Sequence, residues 1–145
     1  MKIPSVDFDK ILVPVSGTKA DDEVIRLACL LARKNKGKVW AVYVITVKRT
    51  LPLDAELDAD MKEGEEILNH AEAIAEEQEY EIETDLLQAR EAGPTIIDEA
   101  VDHEVNLILI GTEYKKSFGQ FSLGSVIPYV LRNAPCRVLV FQVHD

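Results

Sequence analysis

The stretch from Asn106 to Gln142 limits the fold of this chain more than any other. It opens with an apolar run, Leu107 to Ile110, that ends in Gly111, and a polar loop follows. A second glycine step, Leu123-Gly124-Ser125, leads into a helical segment, and a further apolar run, Cys136 to Phe141, closes the unit. The order is strand, glycine loop, helix, strand. Such a unit builds an anion site, because glycines let the backbone approach a ligand and a helix start presents unpaired N–H groups at the positive end of a dipole.

The rest of the chain repeats the alternation. Lys10 to Val15 is a short run rich in β-branched residues and reads as a buried strand that stops at Pro14. Ser16-Gly17-Thr18 reads as a turn, and Thr18-Lys19-Ala20-Asp21 fits a capping box for a helix whose inner face carries Val24, Leu27, Ala28 and Leu31. That helix is expected to end near Asn35 to Gly37. Lys38 to Val47 is nearly all apolar, as in a strand covered on both faces, with Trp40 and Tyr43 on opposite sides. Asp58 to about Gln78 reads as the longest helix, with Met61, Leu68, Ala71 and Ala75 as its stripe and Gly64 placed to allow a close contact. Glu81 to Leu87 is partly polar and reads as an edge strand. Gly93-Pro94 is expected to open a third helix, with proline at its first position and Ile97, Ala100 and Val101 facing inward. The whole chain, 1–145, reads as one domain. Strands alternating with helices predict a parallel sheet covered on both faces, whose ligand sits outside the carboxyl ends of the strands where their order reverses.

Charge narrows the function. The net charge is −10, and the segment from Asp54 to Asp85 carries Lys62 as its only lysine or arginine. So acidic a chain is a poor partner for nucleic acid, which binds by neutralising phosphates. No apolar run approaches the roughly 18–20 residues that span a bilayer, and the first ten residues lack the apolar core of a secretory signal. Cys29 and Cys136 lie on apolar segments and read as reduced thiols of a cytoplasmic protein. His70 has no second ligand at metal spacing, so no metal site is expected. No catalytic set is expected either, because His70, His103 and His144 fall in segments away from the expected crevice.

Gly111 and Gly124-Ser125, with the following Ala134 to Val140, carry a resemblance to the universal stress protein family. Its C-terminal signature is a glycine, two residues, a glycine, nine residues, then Gly-Ser or Gly-Thr. The resemblance covers the whole chain. It implies a five-stranded parallel sheet of order 3-2-1-4-5, an adenine nucleotide alpha-hydrolase-like fold. It also implies a site for ATP or a related adenine nucleotide, with magnesium accompanying it. By that resemblance Pro14, Val15 and Ser16 close the first strand beside the nucleotide and Val44 packs on the adenine. Gly111, Gly124, Ser125 and Val126 hold the phosphates. It implies a homodimer paired through Arg137–Gln142.

Some residues depart from the pattern. Ser16 stands where the nucleotide-binding members have aspartate, and Tyr114 takes the place of the middle glycine. A serine hydroxyl bonds a ribose without the strength of a carboxylate. Tyrosine lacks easy access to positive φ. Pro128 removes one N–H from the helix start and Ile127 brings no hydroxyl. Lys115, Lys116, Ser117 and Gly119 offer other means of holding a phosphate. Two alternatives stay open: an altered or weak nucleotide site, or the fold without the ligand. Other function classes are a regulatory domain of a membrane transporter, and an adenylating or ATP-hydrolysing enzyme. The second rests on the faint echo of a pyrophosphate loop in Ser16-Gly17-Thr18. Whether the chain is a whole protein or a domain of a longer one is not fixed by its residues.

Overall fold

A computed structural model describes residues 7–114 and 125–144. Along the chain run β1 (Lys10–Pro14), α1 (Lys19–Arg33), β2 (Lys38–Thr46), α2 (Asp58–Glu77), β3 (Glu83–Ala89), α3 (Ala92–Asp102), β4 (Leu107–Glu113), α4 (Val126–Asn133) and β5 (Arg137–Val143). The sheet is parallel throughout, in the order β3-β2-β1-β4-β5. The expected order therefore holds, and β3 and β5 are its edges.

Alternation along each strand sorts the core into two layers. Ile11, Val13, Val39, Ala41, Leu107 and Leu109 face one way and pack under α1 and α2 with Val24, Ala28, Leu68 and Ala71. Leu12, Trp40, Val42, Ile108 and Ile110 face the other way and pack under α3 and α4 with Ile96, Ala100, Ile127 and Val130. Strands that are buried on both sides must be apolar at every position, and the uninterrupted runs in the sequence express this. Trp40 and Tyr43 do fall on opposite faces. Gly64 lets α2 close onto β2 and β3: a Cβ there would lie 2.6 Å from Leu86 Cδ1 and 2.9 Å from Tyr43 Cδ1.

Several expectations are corrected. Thr18 is the N-cap residue of α1, but its side chain makes no capping bond. Helix α1 ends at Arg33 with Lys34 as its cap, slightly before the expected Asn35 to Gly37, and Lys36 beyond it takes a left-handed φ of 51°. Helix α3 begins at Ala92, so Pro94 is its third residue, still within the turn whose N–H groups have no helical partner. Gly93, Ile96 and Ala100 lie on the buried line of α3, at i, i+3 and i+7, which turns Val101 outward to 55% exposure. Cys29 is buried and Cys136 half-buried, and both are free thiols. No helix among the described residues is long and apolar enough to cross a membrane.

Candidate functional site

The reversal in strand order falls between β1 and β4. A cavity of about 340 Å³ opens there at the carboxyl ends of the strands. Pro14, Val15 and Ser16 form its β1 side, Val42 to Val44 its β2 side, and Ile110 and Gly111 its β4 side. Ala92 and Ile96 of α3 and Val126 and Ile127 of α4 complete it. Of the expected site residues, Pro14, Val15, Ser16, Val44, Gly111 and Val126 thus line one space. Ser125 lines an adjoining cavity of about 460 Å³ that shares Ala92 and Val126 with the first. Gly124 and the loop residues Lys115, Lys116, Ser117 and Gly119 lie outside the described residues. A mostly apolar lining with polar groups at one end suits a flat heteroaromatic ring carrying a polar tail.

Gly111 is where the sequence argument needs refinement. A Cβ at this position would meet Val24 Cγ2 at 2.6 Å and Ala20 Cβ at 3.0 Å. The glycine is therefore required by the packing of β4 against α1, besides forming part of the crevice wall.

Two helix starts flank the crevice. At α1, the carboxylate of Asp21 turns back and accepts the Gly17 N–H at 2.7 Å and the Ser16 N–H at 3.2 Å. Burial pushes the Asp21 carboxyl up, against the lowering effect of the Gly17 and Ser16 bonds. The Lys19 N–H donates to Glu113 Oε1 at 3.0 Å. The amides at this start are thus held by the protein's own carboxylates, including those a pyrophosphate loop would need.

At α4 the situation is reversed. The first turn, Val126 to Tyr129, carries no acidic residue, and Ser125 at the N-cap makes no side-chain capping bond. Pro128 is the third residue of this helix, as its place in the sequence implied. Arg90 lines the adjoining cavity, where its Nη1 donates to Lys48 O at 2.5 Å. It lies next to Glu91 in that lining.

Tyr114 directly follows β4 and is tied to the end of β5. Its N–H donates to Val143 O at 2.9 Å, and its ring stacks on His144 with centroids 4.8 Å apart. A third cavity, about 440 Å³, lies on the other side of Ser16 and Gly17. It is lined by Asp21, Asp22, Glu63 and Glu66, with His70 bonded to Asp22 at 2.8 Å. His70 thus sits closer to the Ser16 turn than its sequence position suggested, but four carboxylates against Lys19 as the one lysine or arginine of the lining make this cavity a poor site for a polyphosphate. Val42, Tyr43, Ala92, Ile96 and Ile110 were not expected in the crevice, and Ile127, expected beside it as a residue without a hydroxyl, does line it. Val42, Tyr43 and Ile110 lie near expected residues in sequence, while Ala92 and Ile96 arrive only through the packing of α3 on the sheet.

Fold and cavity together define a parallel α/β protein with a crevice at its topological switch point. The sequence profile of the universal stress protein family matches residues 7–142, and the chain belongs to that family. It is 32% identical, over 93% of its length, to a universal stress protein of Methanocaldococcus jannaschii, of which the match covers 82%. A solved universal stress protein from Archaeoglobus fulgidus superposes with a TM-score of 0.76 at 28% identity, covering 92% of this chain and 98% of that one. Another structure of the universal stress protein from Archaeoglobus fulgidus, in complex with dAMP, superposes with a TM-score of 0.73 at 25% identity, covering 93% and 98%.

Proposed function

We propose that this chain is a nucleotide-binding module that takes an adenine nucleotide into the crevice between β1 and β4, and that it acts by binding and self-pairing rather than by catalysis. The observation that carries this reading is the convergence of Pro14, Val15, Ser16, Val44, Gly111 and Val126 on one largely apolar cavity. The dAMP complex of a relative supports the class of ligand.

In this reading the base lies on Val44 between the sheet and α3, and the ribose meets Ser16. The phosphates point to the start of α4, at Gly124, Ser125 and Val126, with magnesium carried on them. The start of α1 is unsuited to phosphate, because Asp21 and Glu113 already occupy its amides. The same occupation argues against an adenylating role for Ser16-Gly17-Thr18. Strand β5 is an edge with Leu139 42% and Val140 37% exposed, and pairing with a second copy through Arg137–Gln142 would cover it. The cell compartment we assign is the cytoplasm, in keeping with two free thiols.

The test is to denature the purified protein, separate released nucleotide by chromatography, and titrate the nucleotide-free protein with ATP and magnesium by calorimetry. Released adenine nucleotide, or saturable binding with one site per chain, is the expected result. No release and no heat would mean that Ser16 and Tyr114 have cost the crevice its ligand. Phosphate release from ATP above a no-protein control would overturn the non-catalytic part. A monomer by sedimentation at micromolar concentration would overturn the pairing.

A further inference from the structure

Near the opposite end of the sheet, on the α3 face, three side chains from two elements meet around one nitrogen. Glu99 and His103 stand four residues apart on and just after α3, and His103 Nε2 lies 3.1 Å from Glu99 Oε2. Asp85 projects from β3, and its Oδ2 lies 3.3 Å from the same nitrogen. One ligand atom from each of the three falls within 4.8 Å of the others, the only such group among the described residues. We propose that Asp85, Glu99 and His103 bind one divalent transition-metal ion of the zinc class, a site separate from the nucleotide crevice and independent of it.

The spacing of the three groups fits a metal ion. Ligand bonds to zinc of about 2.0–2.1 Å in a tetrahedron place neighbouring ligand atoms about 3.3 Å apart. The observed 3.1 and 3.3 Å are close to that edge, so the three groups can close on one ion with little movement. The donor set points the same way. One imidazole with two carboxylates suits zinc and its neighbours, while magnesium and calcium prefer oxygen alone. Two carboxylates side by side on a chain of net charge −10 repel each other, and a dication relieves that repulsion.

The imidazole is also held in place. Trp40 stacks on it with ring centroids 4.6 Å apart and planes 17° from parallel. Trp40 is fixed in turn by its indole N–H, which donates to Glu83 Oε2 at 2.8 Å. The stacking limits how far the imidazole can turn away from Asp85 and Glu99. Side-chain exposures of 29% for His103, 38% for Asp85 and 16% for Glu99 leave the group reachable by an ion and by a water completing its coordination.

The experiment is a zinc titration of chelator-treated protein, without nucleotide, in competition with a chromogenic chelator. Cobalt is then added in place of zinc and its visible absorption recorded. One zinc per chain with a dissociation constant at or below about 10 µM is expected, and His103→Ala and Asp85→Asn each weaken it about tenfold or more. The cobalt bands, expected at tetrahedral intensity, disappear in His103→Ala, while His70→Ala leaves both readouts unchanged. Circular dichroism of the variants without metal verifies that each is folded, and Asp85→Asn, on an edge strand, serves if His103→Ala is not. No saturable zinc binding below about 100 µM, or binding that persists in the folded variants, would overturn the site.

Discussion

The two helices that begin beside the crevice have opposite characters. Helix α1 buries Ala20, Asp21, Val24, Ile25, Ala28, Cys29 and Ala32, and its start is sealed by Asp21 and Glu113. Helix α4 buries only Ile127 and Val130, and its first turn carries no acidic side chain. Both follow a strand at the switch point and both offer a positive dipole end. One has its amides satisfied from within and anchors the core. In the other, no acidic residue stands in the first turn and the N-cap side chain makes no capping bond. Because both share the dipole, the proposed choice of α4 for phosphate rests on the carboxylates that hold the start of α1.

The largest expected effect probes the buried body of α1. Burial pushes the Cys29 thiol up from its ordinary 9.0 to about 11, with Arg33 acting weakly the other way. A folded-state value raised above the unfolded one gives stability that is whole below pH 9 and lost as pH rises toward 11. Denaturant titrations across that window should show Cys29 contributing a loss of up to about 2–3 kcal/mol, which Cys29→Ala removes from the pH slope. A slope unchanged in the variant would mean that the thiol titrates as freely as in the unfolded chain.

Breaking the seal itself costs less. Asp21→Ala frees the Ser16 and Gly17 amides and is expected to destabilise the fold by about 1 kcal/mol, as the loss of a helix cap does. Asp21→Asn, which keeps an acceptor without the buried charge, should cost less, as a pair of thermal melts would show. Ser16→Asp sharpens the crevice side of the comparison. A carboxylate in place of the hydroxyl makes a stronger bond to ribose, and ATP affinity should rise about three- to tenfold in calorimetry. The smallest effect is Glu113→Ala. Its bond to the Lys19 N–H is exposed, so melting should change by no more than a few tenths of a kcal/mol, with ATP affinity unaltered.

The sequence made the strands and helices legible because each fully covered strand had to be apolar throughout and each helix carried an apolar stripe. Leu107 to Ile110 and Lys38 to Val47 show this most clearly. Strand order came from the family likeness, since periodicity is silent on which strand lies beside which. The misses have local causes. The capping pattern at Thr18 was visible, but Asp21 reaches past Thr18 to the amides of Ser16 and Gly17. The inward face of α3 was set one residue late, because Ile96 and Ile97 are equally apolar and only packing distinguishes them. Val15, Val44 and Gly111, which line the crevice near the carboxyl ends of their strands, were expected there from the family likeness. Ala92 and Ile96, on a helix crossing from elsewhere, were not. The convergence of Asp85 with His103 also needed β3 beside β2, a pairing no local pattern contains.

The most direct test of the account is an ATP–magnesium titration of Val126→Asp against the unaltered chain. An aspartate in the first turn suits the dipole of α4, so the fold should hold, while its charge occupies the amides assigned to phosphate. The account predicts affinity lower by about ten- to a hundredfold. ATP binding as tight as in the unaltered chain would contradict it and place the phosphates away from the start of α4.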